Sequence, residues 1–388
     1  MNELLTVFTP TYQRPDMLKR KLFHMAKQGC EFKILIIDTS NEDILEKNKA
    51  IIDTYSKTLN LEYHVYPQTL SAASKLAKGA SLVTSKYTIT SFDDDFLNLG
   101  FVRKGITFLE NNSDFDAVTG YVLGLIRNMK SKDNNILRLP ILTADNDFSD
   151  IDPRRRVQKY ISCSKKSNQV FNLRRTDKYR QCMQILDYSA FHKYSEYMLN
   201  MLLTFSGRMH FLDDIMEMRW MNYDKVVYRK KAYSEFRSGL YKEFSDPDFT
   251  TQLSKFMDIA KQLLSSNFSD EHKLTEFVMA VFFSYRMDKV NFDKVLTLNK
   301  KNFILGKLEN IWEKTISKVD YFNFIRKPSN LLLMKKLLKI YNIHNFRNMM
   351  RNDEGFMFNK ISLEKSSSKY AKPYKHCVET MNEFREIY

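Results

Sequence analysis

Apolar residues recur along this chain with two different rhythms. Between residues 4 and 92, short continuous apolar runs alternate with longer segments in which apolar positions return every three or four residues, the patterns of buried strands and amphipathic helices respectively. This predicts strands at residues 4–9, 32–38, 61–66 and 87–92, separated by helices at 16–28, 42–59 and 71–83. Gly29 follows the first helix as a stop signal. Such a β-α-β-α-β-α-β order implies an α/β fold, a mostly parallel sheet with helices on both faces. Ligands of these sheets bind beyond the carboxyl ends of the strands, so residues 9–12, 38–40 and 93–95 should open onto one crevice.

Further along, the pattern predicts a helix at 100–111 and a strand near 117–125, then a polar stretch, 127–152, that reads as an irregular loop over the site. Strands at 170–173 and 209–212 flank a helix at 194–205 that ends at Gly207. After about residue 240 the strand signal fades, and long helical segments follow at 249–264, 274–287 and 331–341. A boundary is therefore expected within 239–247, dividing an α/β domain at 1–240 from an all-helical C-terminal domain at 241–388. The tract KSSSK at 365–369 reads as a mobile loop.

A chain of 388 residues can bury a sizeable core. Its four cysteines form no CxxC or Cys/His cluster, and its seven histidines show no metal-binding spacing, so neither a disulfide framework nor a zinc site is indicated. The first apolar run is too short for a signal peptide, and none reaches the length of a membrane span, which reads as a cytoplasmic protein. A net charge of +15 invites nucleic acid, an anionic membrane or phosphorylated substrates. With no RNP-like motif, zinc finger or basic region with heptads, nucleic acid is not expected as a partner.

The chemistry concentrates in YTITSFDDDF, where the fourth strand runs into Asp93, Asp94 and Asp95. Carboxylates at a strand end suit an oxygen-coordinated divalent cation, although an acidic turn or helix cap uses the same residues. TPTYQRPDMLKR near the start, LIIDTS at the second strand end and SFDDDF at the fourth together resemble family 2 glycosyltransferases of the GT-A fold. More narrowly, they are similar to a bacterial branch whose metal motif is three aspartates followed by Phe. The resemblance covers about residues 4–225. It implies that Thr9 and Tyr12 line the pocket for base and ribose, that Asp38 accepts a hydrogen bond from the base, and that Asp93 and Asp94 approach the ribose and donor hydroxyls. Asp95 would be the main metal ligand, with Mn2+ or Mg2+ as the ion. Lys75 falls where the family often places a polar or basic residue toward the donor. Glu196, in YSEYMLNMLLTFSG, occupies the position of the general base of inverting members, although Tyr197 stands where an Asp is commoner.

Tyr12 could equally cap the sheet, Asp38 the helix near Glu42, and Glu196 its own helix. Asp213 and Asp214 end the last predicted strand, and Arg219 soon after is a candidate for the diphosphate. Arg154, Arg155 and Arg156 offer the same chemistry, with at least two read as a solvated helix face. The resemblance implies transfer of a sugar from a nucleotide-diphosphate donor to a glycan or lipid-linked saccharide acceptor. A non-catalytic nucleotide-sugar binder and a nucleotidyltransferase stand as alternatives. Residues 324–351 carry seven Lys and Arg with no acid, interleaved with leucines. That pattern suits a helix lying on an anionic membrane and equally one packed on its own domain.

Overall fold

The computed structural model describes residues 4–127, 136–138, 141–143, 147–162, 168–188, 192–221, 247–267, 270, 272–275 and 371–383. Its first half follows the apolar rhythm closely. Strands β1 (Leu5–Thr11), β2 (Lys33–Asp38), β3 (Asn60–Val65) and β4 (Tyr87–Thr90) alternate with helices α1 (Pro15–Lys27), α2 (Glu42–Tyr55) and α3 (Ala72–Leu82). Local signals set the helix ends. Pro15 occupies the first turn of α1, where a missing N–H costs nothing, and Gly29, at φ 63°, takes the left-handed turn beyond it. The Asn41 and Ser71 side chains cap α2 and α3 by accepting from Ile44 N and Ser74 N.

Beyond β4 follow β5 (Asp95–Leu97), α4 (Leu99–Asn111), β6 (Phe115–Arg127), β7 (Ile136–Arg138) and β8 (Ile141–Thr143). Helix α5 (Pro153–Ser162), β9 (Leu173–Arg175), α6 (Thr176–Met183), α7 (His192–Ser206) and β10 (Arg208–Met221) complete this part. Ten strands form one sheet in the order β3-β2-β1-β4-β9-β6-β10-β5, with β7 and β8 attached to β6. The pairs among β1 to β4 are parallel. Only β6 and β10 continue that sense, because β9, β5, β7 and β8 all pair antiparallel. The sheet is thus parallel in its first half and mixed in its second.

Alternation along the parallel strands supplies two cores. Leu5, Val7, Ile34 and Ile36 face α1, α2 and α4 through Leu18, Leu22, Ile52 and Phe101. Phe8, Leu35 and Ile37 point to the opposite face, where they pack with Val83 and Leu76. This period of two puts both sheet faces under helices.

Several elements depart from the sequence reading. Asn168 caps a 3-10 turn over Gln169–Phe171, so β9 begins at Leu173 rather than at Val170. Residues 136–138 and 141–143, expected within an irregular loop, pair with β6. Most consequential, β10 does not stop at Leu212 but bulges between Phe211 and Glu217 and runs on to Met221. Asp213 and Asp214 therefore lie inside this strand, at its irregular step, instead of at its end.

The boundary expected at 239–247 lies largely outside the described residues, as do 324–351 and the helices expected at 274–287 and 331–341, apart from Leu274 and Thr275. Two helices from 241–388 are described, and both pack on the α/β domain. Helix Pro247–Leu264 buries Phe256, Ile259, Ala260 and Leu264 in a core shared with α7 and α6. Helix Ala371–Glu383 adds Tyr374 and Cys377 to a cluster with Phe96, Leu123 and Met218. No described helix is long and apolar enough to cross a membrane.

Candidate donor site at the strand ends

The residues singled out at the ends of β1, β2 and β4 meet. Thr11 Oγ1 donates to Asp93 Oδ2 (2.7 Å), Gln13 N donates to Ser40 Oγ (2.8 Å), and Lys75 Nζ donates to Thr11 O (2.8 Å) and Thr39 Oγ1 (3.2 Å). Gln13 has φ 56°, the single non-glycine residue described at positive φ. Strain of this kind is tolerated where surrounding structure over-determines it, and here it turns the chain so that Arg14 meets the triplet. Arg14 Nη1 donates to Asp94 Oδ2 (2.8 Å), and its Nη2 lies 2.6 Å from Asp93 Oδ1 without the alignment of a hydrogen bond.

Asp93 is fully buried, and burial, with the charge of Asp94, raises its carboxyl to about 6 against the opposing pull of Arg14. Asp95 begins β5 and is 6% exposed. Its carboxylate accepts no hydrogen bond from a described residue, and burial followed by the charge of Glu217 pushes its pKa well up. The strand pairing explains the neighbours. Arg219 lies directly opposite Asp95 in the antiparallel β10–β5 register, placing Nε 3.9 Å from Asp95 Oδ2 and 2.8 Å from Glu217 Oε1.

Helix α1 holds the triplet from the other side. Arg20 Nη2 donates to Asp94 O (2.8 Å), Lys21 Nζ to Asp95 O (3.0 Å), and Gln28 Nε2 to Leu97 O (2.8 Å), while His24 Nε2 stands 3.1 Å from the same Leu97 oxygen. β5 is an edge strand, paired in the sheet only with β10. The α1 side chains give these outer carbonyls donors, which buried carbonyls need. Burial lowers the Lys21 ammonium and brings the Arg20 guanidinium down to about 10.

Asp38 has a different task from the one assigned to it. Oδ1 accepts from Ser40 N (2.8 Å) and Ser40 Oγ (2.6 Å), and Oδ2 accepts from Asn48 Nδ2 (2.6 Å) and Tyr63 OH (2.7 Å). With both oxygens engaged and no surface exposed, this carboxylate organises the end of β2 instead of reaching a base. Nor does it cap α2, since Asn41 does so. Thr9 is likewise fully buried. Tyr12 is 45% exposed, with Gln68 donating to its hydroxyl (3.3 Å) and Lys75 Nζ 5.5 Å from its ring centre. Lys75 is therefore no solvated lysine. A cleft of about 640 Å³ adjoins this corner, lined by residues 40–43, Leu45 and 65–68.

Of the three consecutive arginines, Arg154 and Arg155 are exposed beside Asp152 and Asp150. Arg156 is buried and donates to Thr204 O and Phe205 O, closing the end of α7. None joins the triplet. Glu196 lies in the second turn of α7, because that helix starts at His192 rather than at Tyr194; its side chain lies outside the described residues. Sequence reasoning passed over Glu217, Arg14, Arg20 and Lys21 as site residues. For α1 a signal existed, since Arg20, Lys21 and His24 interrupt an otherwise apolar buried face.

Among the described residues no group of three His, Cys, Asp or Glu is arranged to hold a metal. The Asp95 carboxylate, with Arg219 at 3.9 Å, supplies hard oxygen of the kind Mn2+ or Mg2+ takes, and a cation there would need its remaining ligands from elsewhere.

Residues 6–165 match the model for Glycosyl transferase family 2, and the mixed sheet with its parallel β1–β4 half is the Rossmann-like GT-A arrangement. No curated protein matches the chain. The crystal structure of S. aureus TarS 1–349 in complex with UDP-GlcNAc overlaps with a TM-score of 0.46 at 13% identity, covering 77% of this chain and 76% of that one. That of S. aureus TarS gives 0.41 at 12% identity, over 74% of this chain and 54% of that one. The 4-diphosphocytidyl-2C-methyl-D-erythritol synthase of Anaerococcus prevotii gives 0.34 at 12% identity, over 55% and 90%. These overlaps stay below 0.5 and add no weight to the assignment. The strand-end motifs and the aspartate triplet all fall inside the matched segment, so it is over residues 6–165 that this chain is similar to the glycosyl transferases of family 2.

Proposed function

We propose that this enzyme transfers a sugar from a nucleoside diphosphate sugar to a hydroxyl of a glycan or lipid-linked saccharide, with inversion at the anomeric carbon. The reading rests chiefly on the meeting of Asp95 and Arg219 across the β5–β10 pair, next to Asp93 and Asp94, which Thr11 and Arg14 contact from the end of β1. A carboxylate and a guanidinium side by side match a cation and an anion that arrive together, as a metal-bound diphosphate does.

In this reading the base and ribose occupy the cleft lined by residues 40–43, Leu45 and 65–68, beside the exposed ring of Tyr12, which Gln68 meets and whose surroundings Lys75 fixes. Asp38 keeps the end of β2 in place through Ser40 and Tyr63. Asp93 and Asp94 orient toward the ribose and donor hydroxyls once Arg14 yields its place. Glu196 takes the proton of the acceptor hydroxyl as that oxygen forms its bond to the anomeric carbon. The bond from that carbon to the diphosphate oxygen breaks, and its electron pair leaves with the diphosphate, whose growing charge Arg219 offsets. A cation held by Asp95 would add Lewis-acid stabilisation to the same departing oxygens.

A screen of nucleotide sugars for Mn2+-dependent binding and slow donor hydrolysis, with Asp95→Ala alongside, tests the donor site. One nucleotide sugar should bind, and Asp95→Ala should lower turnover at least about a hundredfold. Binding of none, or an Asp95→Ala protein that behaves like its parent, sinks the proposal. Glu196→Gln should keep donor binding and lose transfer to an acceptor; normal transfer removes Glu196 from the mechanism.

A further inference from the structure

Arg219 is fixed on two sides, and among the described residues its fork stays open. Nε donates to Glu217 Oε1 at 2.8 Å, and the guanidinium lies on the face of Phe171, with Cζ 3.9 Å from the ring centre. Neither terminal nitrogen donates to a described residue, and the side chain is 25% exposed. A guanidinium with its Nε and plane held in this way cannot turn freely, and among the described residues both Nη groups remain to receive phosphate oxygens in one plane.

Glu217 is costly to keep where it is. It is 1% exposed on β10, between the buried core residues Met216 and Met218 and opposite Leu97. A carboxylate so placed requires compensating charge. Lys21 Nζ donates to Ser91 Oγ, and Ser91 Oγ donates in turn to Glu217 Oε2 at 3.0 Å. Lys21, Ser91, Glu217 and Arg219 thus form one line of donors and acceptors, in which a buried cation neutralises the acid and the acid holds the exposed cation.

We propose that Glu217 is a positioning residue for the transfer reaction, holding Arg219 against Phe171 with its fork turned to the donor diphosphate. The inference rests on the nucleoside diphosphate reading above. It does not make Glu217 a ligand of metal or substrate.

The test compares a nucleoside diphosphate with its own monophosphate. The full chain is titrated calorimetrically, with Mn2+ present, against UDP, CDP, GDP, ADP and dTDP, and the tightest binder is then measured beside its monophosphate. The ratio of the two Kd values reports the added phosphate alone. The parent should favour the diphosphate by about tenfold or more, and Arg219→Ala should remove that preference. Glu217→Gln, which keeps an acceptor but loses the charge, should lower the ratio about three- to tenfold with the monophosphate Kd unchanged. Phe171→Leu should lower it as well. A packing role alone would shift both nucleotides together or lower only thermal stability. If Glu217→Gln and Phe171→Leu keep the parental ratio while Arg219→Ala loses it, the positioning role is overturned and the diphosphate contact stands. If Arg219→Ala also keeps the ratio, the contact falls and the positioning role with it. Should no nucleotide bind the parent, the donor reading itself has failed. Where Glu217→Gln does not fold, Phe171→Leu decides alone.

Discussion

His24 lies between β5 and the C-terminal helix, with Nδ1 3.0 Å from Thr380 Oγ1 and Nε2 3.1 Å from Leu97 O. Burial, then the charge of Lys21, with smaller effects from His376 and Arg20, lowers its pKa from the usual 6.5 to about 3. Between those values the unfolded chain binds a proton that the folded protein refuses. Stability from this group is therefore complete above pH 6.5 and declines as pH falls toward 3, by up to about 1.4 kcal/mol per pH unit. His24→Gln should remove one proton from the pH dependence of unfolding in urea between pH 6.5 and 4. Parallel curves for parent and variant would contradict this. Single residues also show what the sequence could reveal. Three aspartates at a strand end announce themselves, whereas Glu217 is one of three acids in β10, and its meaning comes only from the pairing of Arg219 with Asp95. Asp38 shows the converse, since its position was legible but its four donors were not. Ser40 is two residues away, but Asn48 and Tyr63 come from α2 and β3.

At the scale of elements, the parallel half was legible because each strand and helix there carries its own apolar period. The antiparallel half was harder to read, because β5 and β9 are three residues long and owe their existence to partners distant in sequence. The bulge in β10 has no local signature beyond Gly120 on β6, where a Cβ would come within 2.5 Å of Asp214 O. Helix α3 depends on a similar close approach. A Cβ on Gly79 would stand 2.2 Å from the Phe8 ring and 3.1 Å from Ile37. Gly79→Ala should therefore destabilise the protein by about 1–3 kcal/mol through overpacking, although Ala favours an isolated helix by about 0.5–1 kcal/mol. Because α3 carries Lys75, nucleotide binding should weaken as well. Equal or greater stability on chemical denaturation would show that α3 can lift off the sheet without cost.

For the molecule as a whole, the helix Ala371–Glu383 belongs with the α/β domain that it covers. It packs on α1, buries Tyr374 and Cys377 with Phe96 of β5, and pairs Glu379 with Lys27 at 3.1 Å. Helix α1 in turn grips the triplet by its carbonyls. Removing residues 371–388 should cost about 3 kcal/mol or more, from the two buried side chains alone, and should speed hydrogen exchange in α1 and β5 before other parts of the sheet. Unchanged exchange in those two elements would show that α1 holds the triplet unaided. This closure has a consequence in time. His24 meets Thr380 across 356 positions, so on a ribosome adding roughly 5–20 residues per second the first helix waits some tens of seconds for its cover. Until then the buried bases of α1 and the aspartate carbonyls they hold stay open on one flank.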